Sequence, residues 1–191
     1  MPHIDLEGHL PGVTGLLEYR RDTAAPIRDL TQLLLRGEST LSEGERELIA
    51  TVVSHGNQCR FCTTAHAAVT NVLLGESDTV EAVKKDIETA PISEKMKALL
   101  AIAALVQKSG KLVTENEVSR AKAAGATDLE IHDTVLIAAL FSMYNRYVDG
   151  LATNMPAESQ YFDGLAERLT TQGYVRNPEW YAHLKKKSHT E

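Results

Sequence analysis

Aromatic residues are scarce, 5% of 191 residues, with three Phe, one Trp and six Tyr. Clean polar/apolar alternation is also missing, so a β-rich fold is not expected. Only two cysteines occur, which excludes a disulfide framework. A chain of this length buries about two-thirds of its unfolded surface and needs none. An excess of positive charge is absent: 20 Lys and Arg stand against 26 Asp and Glu, a net charge of −6. No basic stripe is present, which argues against nucleic-acid binding. The one basic cluster, Lys185-Lys186-Lys187, reads as a solvated helix end. The longest apolar run, Ala98 to Val106, is half of what a membrane span requires. Met1 to Gly12 carries two acids and two histidines around no apolar centre, unlike a targeting signal. The expected compartment is therefore the cytoplasm, where structural disulfides are rare. Hydrophobic content of 43% and charged content of 24% are those of a globular protein. The length favours a single domain over residues 1–191.

What the chain does have is helical punctuation. Ser42 with Glu45, Thr114 with Glu117 and Thr127 with Glu130 are three capping boxes. Gly75, Gly110, Gly125 and Gly173 follow helix-like runs, and Pro26, Pro91, Pro156 and Pro178 stand where helices can begin. The expected helices are 12–20, 25–36, 43–55, 59–74, 79–86, 93–109, 115–124, 128–151, 157–172 and 178–186, an all-α fold. The Ala- and Leu-rich run 95–107 is apolar on most sides and is expected at the centre. An internal likeness lays the segment from Glu47 to Asn57 on that from Val135 to Asn145, matching Leu48, Ile49, Ala50, Ser54 and Asn57 to Leu136, Ile137, Ala138, Ser142 and Asn145. Either a helical hairpin is duplicated or helices share these residues by composition. Cys59, Cys62 and His66 fall opposite Tyr147, Gly150 and Asn154, so only the first copy carries the chemistry.

That chemistry is concentrated in the pattern E-x11-C-x2-C-x3-H: Glu47, Cys59, Cys62 and His66. Gly56 and Asn57 are expected to end one helix, and Cys59 to stand at the start of the next with Cys62 in its first turn. The helix N-terminus stabilises a thiolate there and lowers the thiol pKa. Three residues apart, the cysteines are within reach of a disulfide, so a sulfenic acid on one has a resolving thiol beside it. His66, four residues after Cys62, lies over the same face and suits a base or proton shuttle. Glu47, Thr51 and His55 share a face of the preceding helix. If that face turns to the cysteines, a partly buried Glu47 is expected to have a raised pKa and to carry a proton. Zinc held by Cys59, Cys62, His66 and His55 is an alternative, as are two inert buried cysteines. A thioredoxin-like fold would need a preceding strand, and none is visible.

These residues at this spacing resemble the alkylhydroperoxidase D-like (AhpD-like) group of the carboxymuconolactone decarboxylase superfamily, in particular its peroxidase-related members. Support comes from Ser54 and Asn57 and from the stretch Phe141 to Leu151, and the resemblance covers about residues 25–172. It implies an AhpD-like helical bundle with an internally duplicated helical hairpin, assembled as dimers, trimers or hexamers, with a C-terminal helical extension over about residues 156–191. It also implies a thiol-dependent alkyl hydroperoxide reductase without cofactor or metal. Cys62 would attack the peroxide, Cys59 would resolve the sulfenic acid as a disulfide, and His66 and Glu47 would relay protons. A lipoyl or thioredoxin-like dithiol protein would reduce the enzyme. No nucleic acid or membrane is implied as partner. One departure stands out: the family histidine just before the second cysteine is Phe61 here. His55 is the nearest replacement in sequence for that relay position. The decarboxylase branch does not depend on a redox cysteine pair, so the intact pair argues against it. A reading from another class is a disulfide adaptor or redox sensor with little peroxidase activity. The aromatic-rich C-terminus, with Tyr174, Trp180 and Tyr181, would either pack on the body of its own chain or dock on a neighbouring subunit.

Overall fold

A computed structural model describes residues 1–156 and 158–176. Within them the protein is all-α: α1 (Val13–Tyr19), α2 (Arg21–Arg36), α3 (Glu43–Gly56), α4 (Arg60–Leu74), α5 (Asp78–Lys85), α6 (Glu94–Lys108), α7 (Glu115–Ala123), α8 (Asp128–Gly150) and α9 (Gln160–Gln172), with a 3₁₀ turn at Gly110–Leu112. The expected helix 178–186, Pro178, the lysine cluster, Trp180 and Tyr181 lie outside the described residues.

The caps explain where helices start. Ser42, Thr114 and Thr127 each close a capping box, with Glu45, Glu117 and Glu130 reaching back to the N-cap backbone. Each box satisfies two N–H groups that the first turn would leave without partners. Gly75, Gly125 and Gly173 take positive φ as helix stops do, whereas Gly110 begins the 3₁₀ turn. Pro26 does not begin a helix. It lies inside α2, which starts at Arg21. Asp22, four residues before, would lose its hydrogen bond to residue 26, but both residues are exposed and water serves that carbonyl.

The α3–α4 hairpin is the most closely packed pair. α6 and α8 pack against α3, and α9 covers α4. The N-terminal half of α6 is central, with Met96, Leu99, Leu100 and Ile102 buried. Its last turns are only partly covered. α3 and α8, the two segments that resemble each other, lie side by side, and their matched asparagines meet: Asn57 Nδ2 donates to Asn145 Oδ1 at 2.8 Å. The segments part at the turn. The first breaks through Gln58, at φ 59°, whereas α8 continues unbroken past Asn145 to Gly150. The matched segments therefore run beside each other along α3 and the middle of α8, up to the two asparagines. Tyr144 stands where the first copy has Gly56, and nothing in the second copy stops the helix.

Glu130 ties the α8 cap to the bundle. Its carboxylate accepts from Lys95 and Thr40, both at 2.8 Å, and from the Thr127 backbone at 2.7 Å. Burial pushes the carboxyl up, but Lys95, Thr127 and Thr40 outweigh it and hold the pKa at about 2. A depressed carboxyl stabilises the fold above its unfolded pKa, about 4.3. That contribution is lost as pH falls towards about 2. Glu130→Gln is expected to melt below wild type near neutral pH, with the gap in Tm closing between about pH 5 and about pH 2. A gap that stays constant over that range would contradict this role.

Candidate active site

The turn between α3 and α4 sets the cysteines. Asn57 N–H donates to the Val53 carbonyl, Gln58 N–H to His55, and Cys59 N–H to Ser54, at 3.0, 2.9 and 3.1 Å. Gln58, not a glycine, takes the left-handed conformation. Cys59 is the N-cap of α4 and Cys62 its third residue. Both are buried free thiols. Each thiol acts on the other, and this interaction splits their acidities. The Cys62 thiol lowers the Cys59 pKa, with help from the Cys62 backbone N–H, against burial and against Asp149. The Cys62 thiol is pushed well above its ordinary value by that same contact and by burial, with a small opposing pull from Asn145. Cys59 is therefore the sulfur that gives up its proton more readily and Cys62 the one that holds it, whereas the sequence suggests a favoured thiolate on both.

Glu47 and His66 meet as expected. His66, fixed on α4 one turn after Cys62, places Nδ1 2.7 Å from Glu47 Oε2. Glu47 is fully buried. Its Oε1 accepts from Arg36 Nη2 and from the Tyr174 hydroxyl, both at 2.6 Å. The expectation of a raised Glu47 pKa is overturned. Burial does push the carboxyl up, but His66, Arg36 and Tyr174 together bring it below the usual carboxylate range. Its partners thus hold Glu47 as an anion. It accepts the His66 Nδ1–H hydrogen bond, which leaves Nε2 as the other polar atom of a ring that lines the cavity beside Cys62.

Tyr174 answers the question of the C-terminal aromatics as far as the described residues go: it packs on its own chain. Gly173, at φ +71°, ends α9. A Cβ there would come within 2.3 Å of Gln32 Oε1. The same Gln32 oxygen accepts from the Tyr174 backbone at 2.7 Å. The Tyr174 ring lies under the Arg36 guanidinium, 5.1 Å from its centre, and parallel to His66 within 9°. Burial and then Glu47 push the Tyr174 pKa well up, so its hydroxyl stays a donor.

Cys62 and His66 line a cavity that encloses about 70 Å³ and that Cys59 does not line. Its apolar wall includes Phe61, Ala65, Phe141 and Leu165. Phe61, in place of the family histidine, is buried against Tyr161 and Phe162, at ring distances of 6.3 and 5.7 Å. Gly12 admits it: at φ +58° a Cβ on Gly12 would overlap the Phe61 ring at 2.3 Å. At another point of the wall Tyr144 and Thr31 share a 2.7 Å hydrogen bond. Thr31 donates to the Ile27 carbonyl, so Tyr144 is the donor within the pair. Burial pushes the Tyr144 pKa up to about 12.

The structure brings Glu47, Cys59, Cys62 and His66 together but leaves His55 exposed at the end of α3, outside the cavity lining. The helical repeat of four placed His55 in line with Glu47 and Thr51, but in the last turn of α3 Val53 and Ser54 are the buried residues and His55 is exposed. Arg36, Tyr174 and Asn145 belong to the site and went unnoticed in the sequence. Arg36 reads as an ordinary cation at a helix end, and Tyr174 as one aromatic among several. Only Asn145 left a signal, its match to Asn57. Among the described residues no three His, Cys, Asp or Glu side chains gather to hold a metal ion. No helix there is long and apolar enough to cross a membrane.

Residues 21–82 match the carboxymuconolactone decarboxylase family. The matched span holds Arg36, Glu47, both cysteines and His66. No curated protein sequence matches the chain. Two crystal structures share the fold. One is an uncharacterized peroxidase-related protein from Silicibacter sp. TM1040, 27% identical, TM-score 0.73, over 81% of this chain and 79% of that one. The other, from Ralstonia eutropha JMP134, is described as an alkylhydroperoxidase AhpD core and an uncharacterized peroxidase-related protein. It is 26% identical, TM-score 0.73, over 82% of this chain and 80% of that one.

Removing the Glu47 charge should cost stability as well as chemistry. Arg36 is 5% exposed at its side chain and Glu47 0%. Breaking a buried pair by neutralising one partner typically costs about 3–5 kcal/mol. Glu47→Gln is expected to lose about that much in urea denaturation. A loss under about 1 kcal/mol would mean that Glu43, 3.4 Å from Arg36, balances the guanidinium unaided.

Proposed function

We propose that this chain is a member of the AhpD-like group of the carboxymuconolactone decarboxylase superfamily and a thiol peroxidase that reduces organic hydroperoxides. The observation that carries the reading is the asymmetric dithiol: Cys62 lines the cavity, and Cys59 behind it favours the thiolate. A peroxide in the cavity meets Cys62. The Cys62 proton passes to the neighbouring Cys59 thiolate, and the Cys62 thiolate attacks the terminal oxygen of ROOH. The O–O bond breaks, leaving Cys62 as sulfenic acid and an alkoxide. The proton held on Cys59 goes to the alkoxide through His66 Nε2, giving ROH and restoring the Cys59 thiolate. Cys59 then attacks the Cys62 sulfur. The S–S bond forms and hydroxide departs, taking a proton from solvent to become water. A dithiol protein, lipoyl or thioredoxin-like, supplies the two electrons that reopen the disulfide.

Glu47 acts in this scheme by holding His66 in one tautomer and orientation. Neither a cofactor nor a metal is required by the steps. His55, outside the cavity, has no part in them, and the apolar Phe61 favours an organic peroxide over a polar one. Antioxidant defence in the cytoplasm, where thiols are kept reduced, fits this chemistry. Assembly into a homo-oligomer belongs to this reading through the likeness to AhpD-like proteins.

The test is single-turnover thiol loss. Pre-reduced protein is mixed with one equivalent of cumene hydroperoxide and free thiols are counted with time. Wild type is expected to lose both thiols, Cys62→Ser to keep its single thiol, and Cys59→Ser to lose its single thiol, ending at a trappable sulfenic acid. His66→Asn should slow the first step about a hundredfold. Wild-type thiols that persist against peroxide yet exchange quickly with a protein disulfide would replace this reading with that of a disulfide adaptor or redox sensor.

A further inference from the structure

The cavity beside Cys62 is mostly apolar, yet three arginines line it: Arg28 on α2, Arg168 on α9, and Arg176 beyond α9. Glu18, itself buried, is 2.6 Å from Arg28 and 3.8 Å from Arg176. Arg168 has no side-chain hydrogen bond or ion pair to any described residue, although it is half-buried.

We infer that this cavity accepts a hydroperoxide that carries a carboxylate, held at the Arg28–Arg168–Arg176 wall while its peroxide end lies at Cys62 and His66. Guanidinium groups recognise a carboxylate through paired, charge-assisted hydrogen bonds. The apolar wall takes the carbon skeleton between the two ends. The crowding of like charges supports the site. Burial, and then Arg168 and Arg28, push the Arg176 pKa down to about 10. Burial is also the main force lowering the Arg168 pKa, with Arg28 adding to it. An anion among these groups relieves their repulsion and replaces lost hydration. With about 70 Å³ enclosed, the cavity suits a small acid or the reacting end of a longer one. The peroxide end of the substrate rests on the peroxidase reading, whereas the carboxylate rests on the arginines alone.

The test compares 3-hydroperoxy-3-methylbutanoate with its methyl ester, the same peroxide with and without the charge. The wild-type enzyme is expected to favour the acid by about tenfold or more in kcat/KM, as a charge-assisted pair should. In Arg168→Gln the ratio should fall towards one, and in Arg168→Lys it should stay well above that of the Gln variant. Equal use of acid and ester by wild type, or an unchanged ratio in Arg168→Gln, would overturn the inference. If neither peroxide is consumed, the peroxidase reading fails and binding decides the anion site. NMR titration with 3-hydroxy-3-methylbutanoate and its methyl ester should then show acid-selective binding that Arg168→Gln weakens. Equal or absent binding of the two would overturn it.

Discussion

The carboxylate of Glu47 is the constraint on which the site depends. A fully buried anion is costly unless its oxygens are all engaged. Here each is: His66 on one oxygen, Arg36 and Tyr174 on the other. Those partners come from α4, α2 and the segment after α9, so satisfying one charge fixes three separate parts of the chain around α3. Arg36 extends the tie by donating to the Leu35 and Leu169 carbonyls as well. The same contacts that hold the bundle together orient the imidazole towards the cavity. Stability and chemistry are therefore coupled through one side chain, and a change made for either is felt by both.

The second organising feature is the division of labour between the two sulfurs. Cys59 stands at the helix start, where the backbone favours negative charge, but it does not line the cavity. Cys62 lines the cavity but is pushed towards the protonated form. Their mutual influence makes the pair, and not either residue, the unit that titrates. The amide chain behind them keeps the arrangement rigid. Gln107 donates to Asn57, Asn57 to Asn145, and Asn145 to Ser54, at 2.8, 2.8 and 3.0 Å. This chain crosses α6, α3 and α8, and links the matched positions of the two similar segments.

Much of the fold was legible in the sequence because caps and stops are local. Ser42, Thr114 and Thr127 act through residues three positions away, and the hairpin that presents Glu47, Cys59, Cys62 and His66 lies within twenty residues of chain. What could not be read depended on distant partners. The Glu47 pKa was expected to rise from burial alone, and it falls because His66, Arg36 and, from 127 positions away, Tyr174 all stabilise the anion. His55 shares a helical phase with Glu47, but phase does not say where a helix ends relative to its neighbour. Pro26 reads as a helix start, yet exposure lets α2 carry it. The arginine wall is drawn from α2, α9 and the segment after it, three places with no common motif.

The central claim is that Glu47 is a permanent anion that fixes His66. The most direct measurement is the ¹³C chemical shift of the Glu47 side-chain carboxyl as a function of pH. The account predicts a carboxylate shift that stays flat from about pH 5 to about pH 9, well above the ordinary glutamate pKa of about 4.3. A titration step for Glu47 within that range would show a carboxyl that takes up and releases protons, and would contradict the fixed-anion account of the site.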